Sequence, residues 1–401
     1  MLVFRFTKET LQQMNAAATA TEIHQQPIVW EQLFENLDRQ KDDMSQFIDS
    51  IKTKHSRIRV ILTGAGTSAF IGDTLLPVLN KESKGTFEFE SIPTTDIVTN
   101  PDYYLKKDMP TLLVSFARSG NSPESVATVQ LGEQLIEDFY QLVITCNKHG
   151  QLAKNSINDS NSFLLLMPEQ AHDQGFAMTS SFTCMLLSAY SFFVPEALIW
   201  NDSKRKKLIT SGKNIVNSVT TTIDEIIEEG FERIVYLGSG PFTHLAHESA
   251  LKMLELSAGN IVAVHESTLG FRHGPKSILK PNSVIVIFLS SKSYTQQYDI
   301  DMLKELYRDS HEYKLVALME RSNEEIEKYV NWGIEINKEN EDFNDDLFLA
   351  VLYIIFAQVL ALKKSIQLGI TPDNPSPDGK VNRVVKGVTI HRYGLEVKED
   401  D

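Results

Sequence analysis

Twice in this chain a short aliphatic run ends in Gly-x-Gly and passes straight into a helical pattern. The first instance is 58–66, IRVILTGAG, with Thr67-Ser68-Ala69 opening the helix. The second runs from Ile234 to Leu237, then Gly238-Ser239-Gly240, with Pro241 in the first helical turn. Runs this apolar suit strands covered on both faces, and parallel neighbours need a crossover helix between them. Further strands are predicted at 87–92, 111–116, 141–145 and 163–167, and in the second copy at 283–289. The copies also keep their spacing: the turn at Ser119 begins 55 positions after Gly64, and Ser290-Ser291-Lys292-Ser293 begins 52 after Gly238. Strands alternating with helices, repeated once, predict an α/β protein with two doubly wound parallel sheets flanked by helices.

At 401 residues the chain exceeds what one core usually organises, so each copy is expected to be a domain. The expected divisions are a helical arm at 1–57, a first α/β domain at 58–205, a second at 206–370, and a tail at 371–401. In the arm, 10–20 and 28–54 carry apolar residues at helical spacing, from Trp30 and Leu33 to Phe47 and Ile51, and Pro27 marks a helix start. It is expected to serve packing or dimerisation. A charged helical joint is expected around 201–230. The apolar runs 182–200 and 347–362 read as buried or subunit-interface helices, the latter being shorter than the roughly 20 residues of a bilayer span. Three prolines and a glycine between Pro372 and Gly379 prevent regular structure, while Val381, Val384, Val385, Val388 and Ile390 imply a tail that docks.

The net charge of −14 argues against nucleic acid or an anionic membrane as partner. It leaves room for a small anion held locally by backbone N–H groups at helix starts. MLVFRFTKET has neither the apolar core nor the cleavage site of a secretory signal. Cys146 and Cys184 lie far apart among apolar residues, which suits reduced, buried thiols. A cytoplasmic protein is expected.

Two turns that follow strands, Gly64-Ala65-Gly66-Thr67-Ser68 and Ser119-Gly120-Asn121-Ser122, combine glycines with hydroxyls where doubly wound sheets bind ligands. Neither is a P-loop, and Ala69 stands where a dinucleotide fingerprint needs its third glycine. A phosphate site is one reading of them; simple helix caps are the other. In the second copy, Glu255 lies late on the helix after Gly240, and His273 sits in Arg272-His273-Gly274-Pro275. Together they could form an acid–base pair, or Glu255 could merely pair with Lys252 on a solvated face. His244, His247 and His265 do not have convincing metal spacing, and no metal is expected.

The stretches GAGTSAFIG (64–72), FARSGNSPES (116–125), QGFAMTSSF (174–182), ESALKMLELSAG (248–259), LGFRHGPKSIL (269–279), YTQQYDIDML (294–303) and NRVVKGVTI (382–390) resemble a known family. The chain looks like a sugar isomerase with two tandem SIS domains. More narrowly it is similar to the bacterial galactosamine-6-phosphate deaminase/isomerases, also called tagatose-6-phosphate ketose/aldose isomerases. The resemblance implies a phosphosugar enzyme without cofactor, a homodimer or dimer of dimers with its active site at the subunit interface. It implies a hexose or hexosamine 6-phosphate held by Gly66, Thr67, Ser68, Ser119, Gly120, Asn121, Ser122, Thr179 and Ser180. Glu255 would be the general base, and His273, lent by a neighbouring subunit, would open the ring. Lys386 in the tail would stand near C1 and C2. Where the related glucosamine-6-phosphate synthase has Ser-Gln, this chain has Ala117-Arg118; Arg118 would add charge to the phosphate site or face solvent. Two alternatives stay open: a glucosamine- or fructosamine-6-phosphate deaminase or deglycase, and a non-catalytic sugar-phosphate-binding regulator.

Overall fold

The computed structural model describes residues 2–394 apart from 84, 310–311, 339–341 and 386. The first sheet contains β1 (Ile58–Thr63), β2 (Phe87–Ser91), β3 (Thr111–Ala117), β4 (Phe139–Thr145) and β5 (Ser162–Leu166). The second contains β6 (Arg233–Gly238), β7 (Val262–Ser267), β8 (Ser283–Phe288), β9 (Lys314–Met319) and β10 (Trp332–Glu335). All pairings are parallel, and the orders are β2-β1-β3-β4-β5 and β10-β9-β8-β6-β7. Counted from its own first strand, each sheet has the same order, so the repeat in the sequence is a repeat of topology.

The helices that position the site are α1 (Gln26–Lys54), α2 (Thr67–Glu82), α3 (Pro123–Leu135), α4 (Ser180–Phe193), α5 (Asp202–Ser218), α6 (Pro241–Leu256), α7 (Ser293–Asp309) and α8 (Asp346–Gln367). Successive residues of a strand face opposite sides. Val60 and Leu62 of β1, with Ile234 and Tyr236 of β6, enter one core that both domains share with α1, α6 and α8. Ile61 instead enters a core on the outer face of the first sheet, and Val235 and Leu237 enter one on the outer face of the second.

The arm belongs to the shared core. Trp30, Leu33, Phe34, Leu37 and Ile51 are buried, and the Trp30 indole donates to Thr183 Oγ1 at 3.0 Å. Pro27 lies in the first turn of α1 as expected. The predicted helix at 10–20 is instead two, Lys8–Gln13 and Ala17–His24, interrupted where Asn15 takes a left-handed φ of 49°. α8 has 22 residues, more than the apolar run suggested, so length alone does not separate it from a membrane span. Burial does: 94% of its most apolar window lies inside the fold, packed on α6. Cys146 and Cys184 are free and buried.

The tail docks, but through polar contacts and not through the valines that suggested it: Val381 and Val385 are exposed. The Asp373 carboxylate accepts from the Ala18 and Thr19 amides at 3.0 and 2.7 Å, at the start of the Ala17–His24 helix. Farther on, the Tyr393 hydroxyl donates to the Asp102 carboxylate.

Candidate active site

Both Gly-x-Gly turns have one geometry. Gly66 and Gly240 precede their helices at φ 56° and 60°, a region that L-residues adopt only at a cost. A Cβ on Gly64 would meet Ser68 at 2.6 Å, and one on Gly238 would meet Phe242 at 2.4 Å. These turns bring α2 and α6 into direct contact, so the first domain's Thr67 touches the second domain's helix.

On α6 the spacing 248, 252, 255 puts two glutamates and a lysine on one face. Lys252 Nζ donates to Glu255 Oε2 at 2.6 Å and to Thr67 Oγ1 at 3.0 Å, and lies 3.4 Å from Glu248 Oε1. The Thr67 hydroxyl donates in turn to Glu248 at 3.3 Å. Glu255 does pair with Lys252, but not on a solvated face: the side chains of Lys252 and Glu248 are 1% and 0% exposed, against 22% for Glu255. Burial pushes Glu248 up to about 7; Lys252 opposes the shift and Glu255 adds to it. Burial pulls Lys252 down, yet the two carboxylates outweigh it, and its pKa ends above the ordinary lysine value. The cluster therefore keeps a cationic lysine between a half-exposed carboxylate and a buried one that holds a proton near neutrality.

The serine turn follows β3. Gly120 has a φ of 65°, Ser119 Oγ accepts from the Asn121 amide at 3.3 Å, and Asn121 Oδ1 accepts from the Gln151 amide at 2.9 Å. Ser122 precedes Pro123 at the start of α3. Among the described residues no carboxylate is bonded to Ser119 or Ser122.

The second domain's corresponding turn is occupied by its own chain. Asp299 accepts from the Ser239 hydroxyl at 2.6 Å and the Ser290 amide at 3.2 Å. Asp346 accepts from the Ser290 and Ser291 hydroxyls at 2.6 and 2.7 Å and from the Ser291 amide at 2.8 Å. Burial raises Asp299 to about 6. Two carboxylates thus fill a cradle of hydroxyls and amides that the first domain leaves without one.

The remaining residues divide. Arg118 does not face solvent: it is 8% exposed, and its guanidinium donates to the carbonyls of Gly175, Phe176 and Arg383 at 3.2, 2.9 and 2.8 Å. Thr179 and Ser180 are fully buried. The Thr179 hydroxyl is given to Asp173 and that of Ser180 to the Glu22 carbonyl, so both are committed within the fold. His273 is exposed beside Gly274, whose φ is 121°, and among the described residues its side chain bonds to none of Glu255, Lys252 and Thr67. Lys386 lies outside the described residues.

Glu248, Asp173 and Asp346 are the polar residues that the sequence reasoning passed over. Glu248 was findable, since a Glu-x-x-x-Lys-x-x-Glu face on an otherwise apolar helix invites a buried cluster. Asp173 and Asp346 carry no local signal. His247 stacks on His265 and on Phe70, with ring centroids 3.8 Å apart in both pairs.

The SIS domain model matches the chain twice, at residues 54–195 and 226–365. The D-galactosamine-6-phosphate deaminase AgaS of Escherichia coli is 43% identical over 387 residues, covering 94% of this chain and 97% of that protein. A Clostridium novyi structure assigned as a tagatose-6-phosphate ketose/aldose isomerase superposes with a TM-score of 0.95 at 43% identity, covering 98% of this chain and all of that one. The tagatose-6-phosphate ketose/aldose isomerase of Escherichia coli gives a TM-score of 0.84 at 40% identity, over 94% and 97% of the two chains. With both domains matched and the likeness running through arm, sheets and tail, the chain belongs to the SIS-domain family, in its branch of AgaS-type deaminases and tagatose-6-phosphate ketose/aldose isomerases.

Proposed function

We propose that this protein is a phosphosugar isomerase/deaminase that converts galactosamine 6-phosphate and water to tagatose 6-phosphate and ammonia. The observation that carries the reading is the contact between domains: the hydroxyl-bearing start of α2 touches the helix that presents Glu255. A sugar phosphate anchored on Thr67, Ser68 and the 119–122 turn would lay its carbon chain toward that carboxylate. Phosphate binding at a distance from the reacting carbons supplies positioning energy.

In the opened sugar, Glu255 takes the proton from C2, giving an enolamine across C1 and C2. Returning the proton to C1 leaves a ketimine at C2, and water then replaces nitrogen, releasing ammonia. Each transfer is ordinary acid–base work for a carboxylate that is neither fully buried nor fully solvated. The ammonium of Lys252 fixes its orientation. His273 is assigned to ring opening, a step suited to an imidazole, which can both donate and accept a proton. Its exposure in a single chain favours delivery to a neighbouring subunit's site, and a cytoplasmic homodimer is the setting we assign.

The test is ammonia release from galactosamine 6-phosphate, with glucosamine 6-phosphate and the N-acetylated sugar alongside. Glu255→Gln should lower turnover by about 10²–10⁴. Turnover within about tenfold of wild type would remove Glu255 as the base. Tight binding of all three sugars without turnover would turn the assignment toward a regulator.

A further inference from the structure

The mechanism above gives Arg118 nothing to do, yet the fold buries it. A guanidinium is costly to desolvate, and here it is spent on three backbone carbonyls. Two of these, Gly175 and Phe176, belong to the 173–179 loop; the third, Arg383, belongs to the tail, 265 positions away. The tail grips the same loop from its own side, because the Arg383 guanidinium donates to the Asp173 carbonyl. Asp173 is itself a hub: its carboxylate takes the amides of Thr179, Ser180 and Ser181 at 2.8, 3.1 and 2.9 Å and so caps α4. Arg118 also adjoins Ser119 in the proposed phosphate turn.

Beyond this clasp the tail has little to rest on. Residues 388–393 arch over a cavity of about 1220 Å³ that they share with Thr99, Asp102 and Leu131, and the far end is held by Tyr393 on Asp102. Val381 and Val385 are 58% and 51% exposed. The tail's placement on the first domain therefore depends on a few polar pins, not on a buried face.

We infer that Arg118 is a positioning residue, which fixes the C-terminal tail beside the phosphate turn by bridging the Arg383 carbonyl to the 173–179 loop, a loop that the Arg383 side chain also grips. The inference rests on the proposed function for its kinetic consequence, not for its structural one. A guanidinium reaching three carbonyls in different directions cannot be replaced by a lysine, which keeps the charge but loses the fork. Charge at the phosphate and mechanical fastening are thereby separable.

The experiment uses the full-length protein without substrate and measures trypsin cleavage after Arg383 relative to cleavage after Arg392, which is exposed. In wild type Arg383 is held and cleavage there is slow. Arg118→Gln and Arg118→Lys should each speed it by about tenfold or more, the worth of one charge-assisted hydrogen bond. Cleavage at Arg392 should stay unchanged. With sugar phosphate, both variants should lower kcat, and the lysine variant should not restore it. Arg383→Gln, at a half-buried position that leaves the domains intact, should reproduce the kinetic defect. The double variant should be no worse than either single, as expected of one shared interaction. Restored kcat and KM in Arg118→Lys would make Arg118 a charge for the phosphate and overturn the inference. Unchanged cleavage at Arg383 in Arg118→Gln would overturn it regardless of any activity, and Arg118→Lys serves the same test if the glutamine variant does not fold.

Discussion

Lys252→Met is the perturbation whose size follows most directly from the geometry. The methionine matches the lysine stem in volume, so packing on α6 is kept and the ammonium alone is lost. Glu248, with no exposed surface, would then keep only the Thr67 hydroxyl at 3.3 Å as a partner. Even beside Lys252 its pKa is about 7, against an ordinary 4.5. The folded state thus holds a proton that the unfolded chain has released in that interval. Its ionisation costs stability as pH rises from about 4.5 to about 7, and the cost, on the order of 3 kcal/mol, is constant above that. Removing the ammonium raises the folded pKa further and extends the penalty. A Glu248 that stays protonated to pH 8 adds at most one further pKa unit over the wild-type value of about 7, or about 1.4 kcal/mol. Urea unfolding followed by tryptophan fluorescence should show a loss of this size for Lys252→Met at pH 8, and a clearly smaller one at pH 6, where Glu248 is protonated. Glu248→Gln combined with Lys252→Met should recover most of the loss at pH 8. An equal deficit at both pH values, or no recovery in the double variant, would refute the account of a buried lysine balancing two carboxylates.

Ser119→Ala and Ser122→Ala should each raise KM for the sugar phosphate about tenfold while kcat changes by less than about threefold, because the contacts are to a group outside the chemistry. Burial pushes both cysteine thiols upward, so iodoacetamide at pH 8 should label neither Cys146 nor Cys184 in the folded protein and both in urea. Burial also depresses His247 to about 4 and lowers His244 and His265, opposed by Asp73 beside His244 and Glu266 beside His265. The unfolded chain accepts protons that these rings refuse, so stability should be complete above the ordinary histidine value of 6.5 and fall as pH drops from there toward about 4. Glu248 acts the opposite way over the same range, so the histidine effect is read as a difference: thermal unfolding should favour wild type over His247→Phe less and less as pH drops from about 6.5 toward about 4.

Seven of the ten described strands were legible, most of them because burial on both faces leaves apolar runs; β7, β9 and β10 were not among the predicted strands. Each predicted strand lies within three residues of its observed start and end, β1 stopping at Thr63 before the glycine turn. The break at Asn15 escaped notice because the apolar spacing continues through it and one left-handed residue is enough to end a helix. Glu255 was legible as a late helical carboxylate; the burial of its lysine partner was not, since Thr67 reaches Lys252 from 185 positions away. The same holds for the tail. Its prolines and valines announce a docked extended segment, but the residues that fasten it, Asp373 on Ala18 and Thr19 and Arg383 on the 173–179 loop, act across separations of 355, 354 and 210 positions. Periodicity reports which face of an element is covered, not by what.

The asymmetry between the two repeats explains why a duplicated fold has its proposed anion site on one side. Both copies place a hydroxyl-bearing turn after their third strand, and both open a helix from Gly-x-Gly. In the second copy Asp299 comes from α7 and Asp346 from the start of α8, and together they accept five hydrogen bonds from Ser239, Ser290 and Ser291. A phosphate entering there would have to displace two carboxylates of its own sign. Those same bonds tie α8, a deeply buried helix, to the sheet it covers. What is the proposed ligand cradle in one copy is a structural joint in the other, and the second copy's proposed functional residues lie on α6 and the loop after β7. In the proposed mechanism, catalysis depends on the two copies meeting at Thr67 and Lys252, since neither domain alone presents both the hydroxyl turn and the carboxylate.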